Sequence, residues 1–580
     1  MIKGFLTLVL TGFFLMTTAQ ITTFEQNKSK NVTATYSEVI TFYKVLDQKY
    51  EQMQMLSYGQ TDVGKPLNLI VLSRDKVFDS ALIRKQNKRI LLINNGIHPG
   101  EPEGIDASMM LARNLLEKNA LPKDVVICII PVYNIDGMLN RGVSRVNQNG
   151  PESYGFRGNY QNLDLNRDFI KTDSKNSRSF QEIFNTWQPE VFVDNHTSNG
   201  SDYQYAITLI QTQKDKLNPI LSEYMTRRMV PDLYSKMKTS GFEMTPYVNS
   251  IEETPDSGIS GFLETPRYST GYAALHNTIG FMPETHMLKP FAQRVESTYR
   301  FMESLLDIVQ RDAGLIAENK RKADEQVKDQ TSFPIDWILD NSQFSMFSFK
   351  GYEAKYKTSE VSGLPRLYYD RQSPFEKEIK VWDHYVPSLS IDKPLAYIIP
   401  QSWQKVIDLL ALNRIQMKRL SADTELDADM YYIEDYKTAS RPFEGHYVHT
   451  GVKLRNIKQK LKFYEGDYIV YANQPQNRYI VETLEPQGAD SFFAWNFFDS
   501  VLGQKEHFSA YIFEDEAVKL LNRDPDLGRM LEEEKRKNSE LAKSAEDQLT
   551  WLYRNSEYYE KTYMRYPVGR LSKPAKLDLK

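Results

Sequence analysis

The chain has 580 residues, of which 26% are charged, and its formal net charge at pH 7 is −4. This length predicts two to four domains rather than one. The sequence has no basic stripe that could neutralise phosphates, so we expect no nucleic-acid partner. The only cysteine, Cys128, cannot form an intramolecular disulfide, and the fold must therefore rest on an ordinary hydrophobic core.

Residues 1–19 have the pattern of a signal peptide. Lys3 provides a positive start, residues 5–16 are apolar, and the small residues at 17–19 suit cleavage before Gln20. The apolar stretch is shorter than the roughly 20 residues that a bilayer span requires. We therefore expect a secreted or periplasmic protein with no membrane span after signal removal, and an uncleaved membrane anchor is the alternative.

Strand-like and helix-like patterns alternate between about residues 36 and 315. Residues 90–94 and 125–132 are short, continuous apolar runs of the kind found in strands buried on both faces. Residues 103–116, between these two runs, have apolar side chains at helical spacing. A strand–helix–strand order indicates crossover connections. For residues 20–318 we predict an α/β domain with a mixed, largely parallel twisted sheet and helices on both faces.

The pattern changes after a polar, charged segment at residues 317–328, which we interpret as a helix end followed by a linker. Residues 330–515 contain short runs rich in Tyr and Phe that turn residues separate, and this predicts a β-rich accessory domain. Residues 516–580 are strongly charged with interspersed leucines. We predict a helical C-terminal segment there.

Two of the apolar runs end in side chains that can bind a metal ion. His98-Pro-Gly-Glu101 follows the run at 89–94, and His196 follows the run at 190–194. Two imidazoles and a carboxylate form a zinc-binding set that leaves a fourth position open for water. If the two strands end side by side, all three ligands meet at one edge of the sheet, where open sheets bind ligands.

Further motifs follow in a fixed order. Asn134-Ile-Asp-Gly137 precedes Asn162-Leu-Asp-Leu-Asn-Arg-Asp168, and Pro283-Glu-Thr-His286 follows an apolar run at 279–282. Together with the His-x-x-Glu motif and the strand-end histidine, these elements resemble the zinc carboxypeptidase family over about residues 36–310. Asn-Ile-Asp-Gly stands in place of the family's usual Asn-Pro-Asp-Gly.

The resemblance implies a metal site with one zinc ion per chain. His98, Glu101 and His196 match the family's zinc ligands. Asp164 matches the aspartate that accepts the other N–H of the first histidine, and such an acceptor fixes the tautomer of the ligand.

The resemblance also implies the catalytic and substrate-binding residues. Glu284 matches the general base that activates the zinc-bound water. Asn166 and Arg167 match the pair that binds the substrate's terminal carboxylate. A guanidinium group suits this role because it can donate two parallel hydrogen bonds to a carboxylate.

Two further roles have more than one candidate in this sequence. For the arginine at the oxyanion we select Arg145, with Arg157 and Arg141 as competitors. For the mobile tyrosine that precedes the base we select Tyr272, with Tyr268 as the alternative.

The family therefore implies a zinc metallocarboxypeptidase that hydrolyses the C-terminal bond of peptides with a free C-terminal carboxylate, and the signal-peptide pattern predicts that it is secreted. One alternative is a zinc amidase that acts on cell-wall stem peptides or acyl-amino acids. Another, of a different class, is an inactive relative that only binds peptides or glycans. The sequence does not indicate which C-terminal side chain is preferred.

Overall fold

The structure is a computed structural model that describes residues 21–580. The signal-peptide pattern at residues 1–19 lies outside the described residues. Within residues 21–580, no helix combines the length and the apolar character needed to cross a bilayer. We refer below to residues 21–329 as the N-terminal region and to residues 330–580 as the accessory region.

The N-terminal region alternates strands and helices, as its sequence pattern predicts. Its strands are β1 (Met53–Gln60), β2 (Pro66–Leu72), β3 (Arg89–Asn94), β4 (Val125–Ile130), β5 (Val191–Asp194), β6 (His196–Ser198), β7 (Ile207–Gln211), β8 (Met244–Pro246), β9 (Ile259–Ser260) and β10 (Ile279–His286). Its α-helices are α1 (Thr23–Gln26), α2 (Tyr36–Lys49), α3 (Ser80–Lys85), α4 (Glu103–Glu117), α5 (Ile135–Leu139), α6 (Lys175–Trp187), α7 (Pro219–Tyr224), α8 (Val230–Thr239), α9 (Ser269–Leu275), α10 (Phe291–Arg311) and α11 (Ala313–Asp329).

The central sheet of this region has nine strands in the order β1-β2-β4-β3-β5-β10-β7-β8, with β6 paired to β10. Strand β3 runs parallel to both β4 and β5, and β10 runs parallel to β5 and β6. Antiparallel pairs occur at β1–β2, β2–β4 and β10–β7. The predicted mixed, largely parallel sheet is confirmed.

Helices cover both faces of the sheet because its central strands are apolar on both sides. Every residue of β3 and β4 is buried. Leu91 and Ile93 pack in the core that contains α4 and α10, whereas Ile90 and Leu92 pack in the core that contains α6. Alternate residues of a strand point to opposite faces, so a continuous apolar run requires cover on both.

The accessory region is β-rich and ends in helices, which agrees with the predicted fold class. Its strands are β11 (Ser332–Leu339), β12 (Ser345–Thr358), β13 (Pro365–Trp382), β14 (Tyr385–Asp392), β15 (Ala396–Ile399), β16 (Lys418–Arg419), β17 (Thr424–Thr438), β18 (His449–Phe463), β19 (Tyr468–Tyr471) and β20 (Gly569–Leu571). Its α-helices are α12 (Gln404–Leu412), α13 (Asn477–Leu484), α14 (Ala510–Arg523), α15 (Pro525–Lys537), α16 (Ser539–Lys543) and α17 (Ala545–Arg554).

The two regions share a three-stranded sheet and a hydrophobic core. Strand β13 pairs in parallel with β9 of the N-terminal region. Tyr272 and Phe169 pack in the same core cluster as Tyr479 and Trp495 of the accessory region. The last strand, β20, lies between β15 and β17 in the six-stranded accessory sheet. The domain boundaries expected at residues 318, 330 and 515 stay predictions.

Candidate metal centre

The predicted metal ligands lie where the central strands β3 and β5 end. These strands are parallel neighbours, and Asn94 at the end of β3 lies in register with Asp194 at the end of β5. The Asn94 side chain donates a hydrogen bond to Asp194 over 2.9 Å. His98 and Glu101 follow β3 in a tight turn, in which the Glu101 N–H donates to the His98 carbonyl over 2.8 Å. His196 begins β6 directly after β5.

The structure brings His98, Glu101 and His196 together, with one ligand atom of each within 4.8 Å of the others. All three are buried. Glu101 lies between the histidines: its Oε1 is 3.2 Å from His98 Nδ1, and its Oε2 is 3.0 Å from His196 Nδ1. Each imidazole therefore turns its Nδ1 towards the same carboxylate.

An aspartate holds the outer nitrogen of each histidine. Asp164 Oδ1 lies 2.8 Å from His98 Nε2, as the family resemblance implies. Asp194 Oδ2 lies 3.0 Å from His196 Nε2. Carboxylates in this position fix the tautomer that leaves Nδ1 free to bind metal. The role of Asp194 was not predicted, although its place two residues before a strand-end histidine was visible in the sequence.

The chemistry of this cluster fits a zinc ion. Among the described residues, His98 Nδ1 is buried and makes no hydrogen bond, because its contact with Glu101 Oε1 at 3.2 Å is not aligned as one. Such burial is costly unless a further group binds the nitrogen. Burial raises the pKa of Glu101, but Arg145 and His98 outweigh it and hold that pKa well below its usual value. Burial lowers the pKa of His196, but Asp194 and Glu101 outweigh it and raise that pKa well above normal. Carboxylates around two imidazoles thus create a site that favours a cation, and the nitrogen and oxygen donors are those that zinc accepts.

Glu284 lies beside this cluster on β10. Its backbone is in parallel register with His196 and in antiparallel register with Thr208 of β7. Burial raises the pKa of Glu284 to about 8; His196 opposes this rise and Glu101 adds to it. A carboxyl group with a raised pKa in a cleft is a candidate for proton transfer.

Two of the three candidate arginines reach the cluster. Arg145 Nη2 lies 2.6 Å from Glu101 Oε1. Arg157 Nη1 lies 3.4 Å from the same oxygen, and its Nη2 lies 2.9 Å from Asp164. Arg141 instead donates to the carbonyl groups of Ala34 and Ser153. Both Arg145 and Arg157 line the cleft.

The predicted carboxylate-binding pair also faces the cleft. Asn166 and Arg167 both line it, and the Asn166 side chain accepts a hydrogen bond from the Ser269 N–H over 3.2 Å. The guanidinium of Arg167 lies over the ring of Tyr268, 4.4 Å from its centroid. This contact links the two chain segments that form one side of the cleft.

The choice of Tyr272 as the substrate-facing tyrosine requires correction. Tyr272 is fully buried, and its hydroxyl group lies 3.0 Å from Asn185 Nδ2 and 2.7 Å from Asn413 Oδ1. It does not line the cleft, whereas Tyr268 does. Helix α9 begins just after Tyr268, and its packing turns Tyr272 into the core. Tyr268 therefore replaces Tyr272 as the candidate.

Two carboxylates of the accessory region, which were not predicted, contact the chain segments that carry Asp164 and Tyr268. Glu444, in the loop between β17 and β18, accepts a hydrogen bond from the Asp164 N–H over 2.8 Å. Asp490 accepts hydrogen bonds from the N–H and Nε of Arg267 over 2.9 and 2.7 Å. These contacts join residues more than 200 positions apart, and no local sequence pattern indicates them.

Together these residues surround a cleft of about 460 Å³ that contains positive, negative and apolar surfaces. Two histidines and a carboxylate can hold a metal ion, Glu284 can transfer a proton, and the arginines can bind anions. This combination is suited to metal-assisted hydrolysis of a substrate with a carboxylate group.

Comparisons with known proteins agree with this chemistry. Residues 39–257 match the family model described as zinc carboxypeptidase. Carboxypeptidase 2 of Trichophyton rubrum is 22% identical over 422 residues, covering 69% of this chain and 72% of the relative. Carboxypeptidase 2 of Trichophyton equinum is 22% identical over 459 residues, covering 75% of this chain and 78% of the relative.

Solved structures of carboxypeptidases are also similar to this chain. A putative carboxypeptidase A from Shewanella denitrificans is 15% identical, with a TM-score of 0.37, over 48% of this chain and 69% of that protein. A metallo-carboxypeptidase from Burkholderia cenocepacia is 15% identical, with a TM-score of 0.36, over 49% of this chain and 70% of that protein.

The match at residues 39–257 and the similarity to carboxypeptidases support a zinc metallocarboxypeptidase of the zinc carboxypeptidase family. The matched residues include His98, Glu101 and His196, and they also include the Asp164–Arg167 segment. Glu284 and Tyr268 lie beyond the matched residues.

Proposed function

We propose that this metallocarboxypeptidase removes the C-terminal residue of peptides, with Glu284 as its general base. The observation that carries the proposal is the position of Glu284, in register with His196 and beside a cluster of two histidines and a carboxylate. Zinc, when bound by His98, Glu101 and His196, supplies a Lewis acid that polarises the scissile carbonyl and lowers the pKa of water.

The protein's own residues perform the remaining steps. Asn166 and Arg167 bind the terminal carboxylate of the peptide and so place the last peptide bond in the cleft. Glu284 takes a proton from the attacking water and later passes it to the nitrogen of the leaving amino acid. Arg145 donates hydrogen bonds to the oxyanion, and loss of one such donor raises the barrier by about 2.7–4 kcal/mol.

A panel of short peptides tests this proposal. The zinc-loaded protein is incubated with peptides that end in a free carboxylate, with matched peptides that end in an amide, and with cell-wall stem peptides. We expect release of single amino acids from the free-carboxylate peptides only, and a chelator should abolish that release. Cleavage confined to the stem peptides would instead identify the amidase.

An Arg167→Lys variant tests the carboxylate grip separately. Lysine keeps the positive charge but loses the planar fork that matches a carboxylate. We expect a higher KM for free-carboxylate peptides with unchanged zinc content. An unchanged KM would show that Arg167 does not bind the carboxylate.

The proposal includes export from the cytoplasm. Its support is the signal-peptide pattern at residues 1–19. Sequencing the N-terminus of the protein recovered outside the cell should give Gln20 as the first residue. Recovery of the full chain from the cytoplasm would contradict export.

A further inference from the structure

Glu264 is a second buried glutamate in the cleft, and the proposed reaction gives it no task. It lies in the segment between β9 and α9 and is only 2% exposed, yet its side chain lines the cleft. Within residues 21–580, its Oε2 atom has no hydrogen-bond partner. Burying an unpaired carboxyl oxygen is unfavourable, and such groups usually await a ligand or serve a function.

The backbone of Glu264 is held in place on two sides. Lys216 donates a hydrogen bond from Nζ to the Glu264 carbonyl oxygen over 2.6 Å. Helix α9 packs closely behind it, since a Cβ atom added at Gly271 would lie 2.9 Å from the same oxygen. The side chain therefore projects from a fixed point, as a group that selects a ligand must.

The charged groups of the cleft do not neutralise Glu264. Arg167 stacks on Tyr268 and donates from Nη1 to the Asn166 carbonyl, and Arg145 and Arg157 bind Glu101. Burial raises the pKa of Glu264 to about 8, and the attraction of His196, Lys216 and Arg167 only partly offsets that rise. Among residues 21–580, the Glu264 carboxyl group thus forms no ion pair.

The walls around Glu264 suit a long, partly apolar side chain. Ile210, Phe262 and Met282 line the same cleft. Lysine and arginine bury their methylene stems against apolar surface and present a charged end, which a carboxylate can bind.

We propose that Glu264 determines substrate specificity, an inference that rests on the proposed function. The enzyme then prefers peptides whose C-terminal residue is cationic, lysine or arginine. The terminal carboxylate is bound by Asn166 and Arg167, and the cationic side chain pairs with Glu264. The substrate then supplies the hydrogen-bond donors that the protein lacks at this position.

The test compares N-blocked tripeptides that differ only at the last residue. Arginine is paired with citrulline, which has nearly the same shape and no charge, and lysine is paired with norleucine. For the wild type we expect kcat/KM to be about 10- to 100-fold higher for the cationic member of each pair, the range of a hydrogen bond to a charged group. Glu264→Gln should bring each pair close to parity while the values for citrulline and norleucine stay near wild type.

Glu252→Gln is the matched control, because Glu252 is an exposed glutamate of the preceding loop and should leave all four values unchanged. Calorimetry on metal-free protein, which cannot hydrolyse the peptides, gives a second measurement. The arginine tripeptide should bind more tightly than the citrulline tripeptide to the wild type, and equally to Glu264→Gln.

Two results would overturn the inference: equal kcat/KM for the charged and neutral members in the wild type, or an equal loss for all four peptides in Glu264→Gln. Either result leaves the proposed function intact as long as C-terminal residues are released. Failure to release any C-terminal residue would refute the proposed function itself.

Discussion

The N-terminal and accessory regions use β-strands in opposite ways. Strands β3, β4 and β5 are four to six residues long and buried at every position. Strands β17 and β18 have fifteen residues each, and most positions of β18 are partly or fully exposed. The first group forms the centre of a covered sheet, whereas the second forms a long ribbon with one face towards solvent.

This difference in strand burial corresponds to two roles, holding a site rigidly and carrying a loop over a distance. A sheet covered on both faces holds its strand ends rigidly, so the side chains at those ends can form a site with close tolerances. A long ribbon carries its loop far from its own base, and here the loop between β17 and β18 delivers Glu444 to Asp164. The candidate metal ligands lie at the ends of strands of the central sheet, and the accessory region supports the walls of the cleft.

The largest effect should come from Glu284, at the edge of the covered sheet. Glu284→Gln keeps the shape of the side chain but cannot accept the proton, so we expect kcat to fall by about 100- to 10,000-fold. Peptide hydrolysis measures this loss, and metal analysis should show zinc bound as in the wild type. A variant that holds zinc and remains active would rule out Glu284 as the base.

The second effect concerns His276, at the junction of the two regions. Its ring lies 5.6 Å from that of Tyr479 in the accessory region, and burial, with a smaller contribution from Lys320, lowers its pKa to about 3. Above pH 6.5 both the folded and unfolded states keep it neutral. Below that pH only the unfolded state takes up the proton. The free energy of unfolding therefore decreases as the pH is lowered, down to about pH 3.

Between pH 7 and pH 4.5 this residue should lower the free energy of unfolding by about 2 to 3 kcal/mol. Denaturant titrations of the wild type and His276→Gln at both pH values measure it, because glutamine does not titrate. His507→Gln, at an exposed position, is the control and should retain the wild-type loss. An equal loss in His276→Gln would show that the junction does not depend on this group.

A smaller effect should follow from removing the accessory support of the cleft. Glu444→Ala takes away the acceptor for the Asp164 N–H and loosens the turn that carries Asn166 and Arg167. Loss of one hydrogen bond corresponds to a rise of about five- to tenfold in KM, with kcat little changed. Glu444→Gln retains an acceptor oxygen and should stay near the wild type, and equal effects of both substitutions would argue against this role.

The smallest effect should occur on the outer face of the ribbon. Lys460 and Glu425 form an exposed pair 2.9 Å apart between β18 and β17. Water and salt screen such pairs, so Lys460→Ala should leave both the melting temperature and the peptidase activity unchanged. A clear drop in the melting temperature or in the activity would mean that the outer face of the ribbon contributes to stability or to function.

Tyr268 and Tyr272 show where prediction from the sequence reached its limit. Both precede Glu284 and lie four residues apart, so spacing did not distinguish them. The structure places Tyr268 against Arg167 in the cleft and Tyr272 against Asn413 in the core. The difference depends on how α9 packs against the accessory region, which is a contact between distant parts of the chain.

The sequence by itself determined the class of the central sheet and the identity of the predicted metal ligands. Apolar runs specify buried strands through local periodicity, and the residues that follow those runs must lie at the edge of the sheet. His98, Glu101 and His196 could therefore be named in advance.

Only the tertiary structure showed several of the groups that surround that cluster. Glu264 and Glu444 were not predicted, because their burial and pairing depend on residues that are far apart in the chain. Asp194 was also not predicted, although it lies only two residues from His196. The sequence does not show whether a given carboxylate faces solvent, an arginine or apolar side chains. The folded chain distinguishes these surroundings, because the free energy of a charge depends on its neighbours and on how much water reaches it.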